Sequence, residues 1–183
     1  ALGVTLAWAL FDGSLFAYHP VFMGLGFLLF MAEGVLAAIA LRELEGQQRL
    51  KELWYHLCLQ AAALLCIWVG FIAIYRNKVR LGKPHFQSLH ARLGLGVTLA
   101  ATLTVAGGLV SFRRLGLLQH FEPEVQTKIK AAHRLAGKAT WLAALAVVEL
   151  GLVHPAAARG RWNAAWQLLL AMLLGGVVTA HQN

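Results

Sequence analysis

The chain has 183 residues, of which 59% are hydrophobic and only 13% charged, where a soluble domain carries roughly a quarter charged. With a mean hydropathy of +0.64, this excludes an ordinary soluble domain and predicts an all-α membrane protein crossing the bilayer several times. The formal net charge of +8 resides in the gaps between apolar runs, so it points to anionic lipid or an anionic small substrate and not to nucleic acid.

Six transmembrane helices are predicted in chain order. The opening run, Ala1 to Phe11, is too short to span alone and reads as the end of a helix that begins upstream. No signal peptide is visible. Asp12-Gly13-Ser14 is a turn. The second span runs from about Tyr18 to Leu41, with Pro20 in its first turn. Arg42 to Lys51 reads as a polar loop. The third span covers about Leu53 to Tyr75, followed by a basic loop, Arg76 to Pro84. The fourth covers about Phe86 to Phe112. Arg113 to Lys128 is the longest polar stretch, with Pro123 inside it. The fifth covers about Lys130 to Val153 and the sixth about Trp162 to Ala180. Cys58 and Cys66 are separated by about 12 Å of helical rise, beyond disulfide reach, so both read as packing residues.

The second to fifth spans each carry a histidine near the N-terminal end: His19, His56, His90 and His133. A histidine at such a depth is costly unless it binds something. The intervals are 37, 34 and 43 residues, each one span plus a loop. Successive spans run in opposite directions, so His19 and His90 fall toward one membrane face, and His56 and His133 toward the other. One histidine at a helix end is usually an interfacial polar residue. Four in alternating register on consecutive spans form two bis-imidazole sites stacked across the bilayer. Iron in a porphyrin has two axial positions, and two imidazoles fill them to give an electron-transfer site with no open position. The expectation is therefore a four-helix core holding two haem b groups.

A flat macrocycle between helices needs small neighbours. Gly94 and Gly137 each lie one turn beyond a ligand histidine, and Gly24 lies five residues beyond His19. Gln60, four after His56, is expected to hydrogen-bond a ligand or a propionate. At the mouth of the His56/His133 site, Arg49, Lys51, Lys128 and Lys130 would attract an anionic electron donor, or else simply obey the positive-inside rule. That face carries nine Lys and Arg against seven on the other, which leans it toward the cytosol. At the opposite mouth, Lys83, His85 and Phe86 would meet an anionic reductant or oxidant. His120, His154 and His181 read as solvated or helix-end residues. Glu33 and Glu149 are intramembrane carboxylates and so candidates for proton movement or pairing inside the bundle. Trp54, Tyr55, Trp141 and Trp162 read as interface anchors and packing.

These residues resemble the cytochrome b561 family, in its small two-haem transmembrane branch. Tyr18-His19-Pro20-Val21-Phe22-Met23 is similar to that family's His-Pro motif, continued by Phe30-Met31-Ala32-Glu33. Gly82-Lys83-Pro84-His85 leading to Ser88-Leu89-His90 is similar to the start of its fourth helix. Ala132-His133 with Gly137 resembles its fifth-helix motif, and Ala164-Ala165-Trp166 through His181-Gln182 its last helix. The resemblance implies six helices and two haems, His19/His90 facing the lumen or exterior and His56/His133 the cytosol. It implies electron transfer from cytosolic ascorbate to monodehydroascorbate or a ferric chelate, a homodimer, and an endomembrane or vesicle location. Where the family often has a Ser-Trp pair after the fourth-helix histidine, this chain has Ala91-Arg92, which adds a charge to the outer site. Two other readings compete. A quinol-oxidising haem anchor would need a quinone pocket and a docking partner. A proton-coupled transporter using Glu33, Glu149 and the histidines would be colourless.

Overall fold

A computed structural model describes residues 13–152. Within them the backbone is helical, and four helices are long and apolar enough to cross a membrane. They are α1, Tyr18–Ala40; α2, Gly46–Arg80; α3, Leu89–Ser111; and α4, Pro123–Leu152. Two short 3-10 turns, Arg113–Leu115 and Leu117–His120, link α3 to α4. The runs expected to form the first and sixth spans lie outside the described residues, as do His154 and His181.

The helix ends differ from those expected. Residues 46–52 and 76–80 belong to α2 and residues 123–128 to α4, not to loops. The cause is composition: Gln47, Gln48, Arg49, Lys51 and Glu52 are polar but favour helix. A 35-residue helix is about 52 Å long, against a hydrocarbon core of about 30 Å, so α2 projects into the headgroups and water. Pro123 opens α4, where its missing N–H costs nothing.

Ser88 starts α3 as a side-chain cap, its hydroxyl accepting the Ala91 N–H at 3.2 Å. This places His90 in the first turn. Ser88→Ala is expected to cost about 0.5–2 kcal/mol, read as a lower midpoint in detergent unfolding. An unchanged midpoint would show that packing alone sets the start of α3.

The closest pairings are α1 with α2 and α3 with α4. Phe27 and Met31 of α1, Ala63 and Ile67 of α2, Val97 and Ala101 of α3, and Trp141, Ala144 and Leu145 of α4 form one buried cluster. Alanines at the crossings let backbones approach closely, the main packing device where lipid removes the hydrophobic drive. Trp68 Nε1 donates to Thr102 Oγ1 at 3.2 Å, tying α2 to α3. Outward positions are large and apolar, with Leu65, Leu103 and Leu135 each about two-thirds or more exposed. Such a surface suits lipid.

Between Gly24 and Phe30, α1 widens into a π-helical segment. Such segments leave carbonyls out of the regular ladder. Trp141 meets one of them: its Nε1 donates to the Phe27 carbonyl at 3.2 Å. Trp141 is 5% exposed and lies eight residues beyond His133. It is a mid-bundle strut, the packing role among the two expected for these aromatic residues. Trp54 and Tyr55 are exposed near the start of α2, as anchors should be.

Candidate metal centres

The antiparallel order of the four helices brings the histidines together in the expected couples. His19 and His90 are each the second residue of their helix, and His56 and His133 each the eleventh. The latter two start no helix, because α2 and α4 begin well outside the bilayer. The His19 and His90 ring centres are 6.1 Å apart with planes at 83°. The His56 and His133 rings are 6.5 Å apart, also at 83°. Along α1, His19 and Gly34, which abuts His56 across the bundle, are separated by about 22 Å of rise. The two couples therefore lie toward opposite leaflets.

The ring nitrogens are oriented by backbone. His19 Nδ1 donates to the Gly70 carbonyl at 3.1 Å, His56 Nδ1 to Gly34 at 2.6 Å and His90 Nδ1 to Val147 at 2.9 Å. A carbonyl only accepts, so each Nδ1 carries the proton and Nε2 is the unprotonated nitrogen, the one able to ligate a metal. His133 Nδ1 is buried and faces the Thr104 carbonyl, outside strict hydrogen-bond geometry among the described residues.

Two glycines press on these rings. A Cβ on Gly151 would stand 2.9 Å from His90 Cε1, and one on Gly108 the same distance from His133 Cε1. The glycines expected to pack the cofactor are looser. A Cβ on Gly94 would meet only Val147 at 3.6 Å, one on Gly137 only Thr104 at 3.8 Å, and one on Gly24 nothing within 4 Å, leaving room beside that buried residue. Gln60 covers Gly34, where a Cβ would overlap its amide, and so lies beside the carbonyl that orients His56. Gly108 and Gly151 were not foreseen. Each lies 18 residues, five helical turns, beyond a ligand histidine and hence on the same helix face at the other membrane level.

The donor set suits haem. No third His, Cys, Asp or Glu joins either couple among the described residues, which argues against a protein-only tetrahedral zinc site. Two imidazoles bound to one iron place their ring centres about 6.3 Å apart, given a metal–nitrogen bond of about 2.0–2.1 Å and about 1.1 Å from ring centre to nitrogen. The observed 6.1 and 6.5 Å bracket that value.

The expected substrate residues sit at the two ends of the bundle. At the His56/His133 end, Arg49 Nη1 donates to the Leu41 carbonyl, closing the α1–α2 turn. Lys128 pairs with Glu124 at 2.6 Å on an exposed face of α4. Lys51 is exposed and Lys130 half-buried. At the other end, His85 stacks on Tyr75 with ring centres 4.3 Å apart and Phe86 beyond it at 5.9 Å. Lys78 Nζ donates to the Pro84 carbonyl at 3.1 Å, folding the loop over the end of α2, while Lys83 stays exposed. Tyr75 was missed as a partner of His85. It ends the third apolar run, within reach of the loop that doubles back. Tyr75, Arg76 and Arg80 line a cavity of about 560 Å³ beside Leu15 and Val79. Glu33 is exposed on the outside of the bundle and Glu149 has a buried Oε2 without a partner, so among the described residues neither shows the internal pairing considered for it. His120 is exposed, as expected.

Comparison with known proteins agrees with this geometry. The family profile described as eukaryotic cytochrome b561 matches residues 18–158. A mouse protein named transmembrane reductase CYB561D2 is 31% identical over 195 aligned positions, covering 100% of this chain and 82% of its own length. Its bovine counterpart is 34% identical over 164, covering 83% and 68%. An Arabidopsis thaliana protein named transmembrane ascorbate ferrireductase 2 is 34% identical over 98, covering 54% and 41%. The profile takes in the whole four-histidine core, and the chain belongs to the cytochrome b561 family of b-type haem proteins, as an integral membrane oxidoreductase.

Proposed function

We propose that this protein moves single electrons across a membrane between two haem b groups, from ascorbate on one side to monodehydroascorbate or a ferric chelate on the other. The observation that carries the reading is the pair of imidazole couples with ring centres 6.1 and 6.5 Å apart, one toward each leaflet. Haem, when bound, supplies the reversible one-electron couple. The axial ligands would be His19 with His90 and His56 with His133. The backbone carbonyls hold the rings in one tautomer, and the apolar shell excludes water.

Donor and acceptor are assigned by charge and by relatives whose names specify ascorbate and iron. Arg49, Lys51, Lys128 and Lys130 would draw anionic ascorbate toward the His56/His133 end. Lys83, His85 and Phe86, with Tyr75 beneath, would meet the acceptor at the His19/His90 end. The richer basic count of the first end favours the cytosol for it. Six spans, a homodimer contacting anionic lipid and an endomembrane location complete the proposal.

Vesicles loaded with ascorbate and containing the purified protein are expected to reduce a membrane-impermeant ferric complex outside, whereas protein-free vesicles do not. Equal rates in both would end the proposal. With both axial positions filled, the dithionite-reduced protein is expected not to shift its absorption bands under carbon monoxide. A shift would show an open iron position and remove one ligand from the set.

A further inference from the structure

The connection between α3 and α4 mixes arginines with exposed leucines, a composition that suits neither water nor the bundle interior. We infer that residues 113–121 are a membrane-interface anchor, seated in the headgroup layer, where Arg113 and Arg114 bind the phosphates of anionic phospholipids. The inference rests on the membrane-spanning fold and stands apart from the haem reading.

The 23 residues of α3 make a helix about 34 Å long, slightly more than a hydrocarbon core of about 30 Å. The chain that follows it therefore emerges at a headgroup layer. Gly108 abuts the His133 ring. Phe112, one turn further out, is buried, with its ring centre 5.1 Å from that of Trp54. Trp54 and its neighbour Tyr55 are exposed, the usual setting of aromatic residues at a membrane surface.

The segment is pinned to the bundle. Leu118 is 1% exposed, and the turn Leu117–His120 packs against α3. The Gln119 side chain donates to the Arg113 carbonyl at 3.5 Å, and Gly116, at φ 76°, makes the bend between the two turns. Held in this way, the segment still exposes Leu115, Leu117 and Phe121, each by more than two-fifths. Single exposed leucines are ordinary on a soluble surface. Three large apolar side chains on one short connection, following directly on the exposed Leu103 and Leu109 of α3, extend the lipid-facing belt of the bundle.

Charge selects the lipid. Arg113 and Arg114 are both exposed. Among the described residues the single ion pair is Lys128 with Glu124, so neither guanidinium is matched by a carboxylate. Glu122, beyond Phe121, is the one acid of the connection itself. A guanidinium holds a phosphate through two parallel N–H bonds, while its aliphatic stem lies along apolar surface. Arginine beside inserted leucine and phenylalanine is the pattern of segments lying in the plane of an anionic membrane surface. Each arginine there strengthens binding on the order of fivefold.

The test places an environment-sensitive fluorophore on Leu117→Cys, in a Cys58→Ala/Cys66→Ala background, with the full chain reconstituted in vesicles of phosphatidylcholine and phosphatidylserine. Blue-shifted emission is expected. So is quenching by brominated lipid, stronger for phosphatidylserine than for phosphatidylcholine at equal mole fraction. That preference is expected to fall on the order of fivefold in each of Arg113→Gln and Arg114→Gln, and to weaken at high salt. The same fluorophore on Gln47→Cys, in the exposed start of α2, is expected to stay water-like and unquenched. A water-like spectrum at position 117 overturns the inference. So does a blue-shifted one that brominated lipid leaves unquenched, which would put a second copy or another protein on the segment. Equal quenching by the two lipids overturns the role given to the arginines. With no cysteine changed, the unaltered protein in mild detergent is expected to retain more phosphatidylserine than the Arg113→Gln/Arg114→Gln variant, and equal retention contradicts the inference. None of these readouts depends on haem.

Discussion

Replacing His90 by alanine is expected to cost the protein one of the two proposed haems while leaving the other in place. His90 faces His19 across 6.1 Å, and no third metal-ligating residue among the described residues stands near enough to substitute. His56 and His133 lie at the other membrane level and keep their own spacing. The ratio of haem to chain, read by pyridine haemochrome assay, is expected to fall from two to one. His85→Ala is the control. His85 is five residues from His90 in sequence, yet its ring is stacked on Tyr75. Its loss is expected to leave haem content unchanged and to slow reduction of an external acceptor. Haem loss in His85→Ala, or its full retention in His90→Ala, would show that the ligand set is misassigned.

Trp141→Ala is expected to be the most destabilising single change in the core. The indole is buried, packs in the central cluster and satisfies the Phe27 carbonyl in the π-helical segment of α1. Truncating a buried tryptophan costs about 3–5 kcal/mol. Leaving a carbonyl unpaired inside a membrane bundle adds about 1–3 kcal/mol. Trp141→Phe keeps most of the packing and loses only the N–H, so it is expected to cost roughly the second amount. Unfolding in mixed detergent, followed by far-UV circular dichroism, would give both figures. Equal losses for the two variants would mean that the hydrogen bond, not the ring, holds α1 against α4. No loss in either would remove the strut.

How far the sequence could be read depended on the physics in play. The four histidines were legible because alternating direction across a bilayer is a strict geometric rule, and their couples lie as that rule requires. The helix ends were not. Gln47 to Glu52 and Pro123 to Lys128 look like loop by polarity, but water tolerates a polar helix as well as a polar coil. Gly94 and Gly137 were chosen because they neighbour ligands on the same helix. The tighter contacts come from Gly108 and Gly151, across the bundle, where chain distance is uninformative and only the five-turn spacing hints at the role. Trp141 reads equally as an interface anchor or a packing residue, because nothing local in the sequence marks the π segment that it serves. The stacking of His85 on Tyr75 depends on a loop doubling back over α2, with Phe86 at φ 54°, a backbone state that propensity would not choose.

The direct trial of the whole proposal is the amount of protohaem bound by the intact purified protein. Two molecules per polypeptide are predicted, in a low-spin spectrum that ascorbate bleaches toward the ferrous form. A colourless preparation from haem-replete cells, or a single haem per polypeptide, would contradict it.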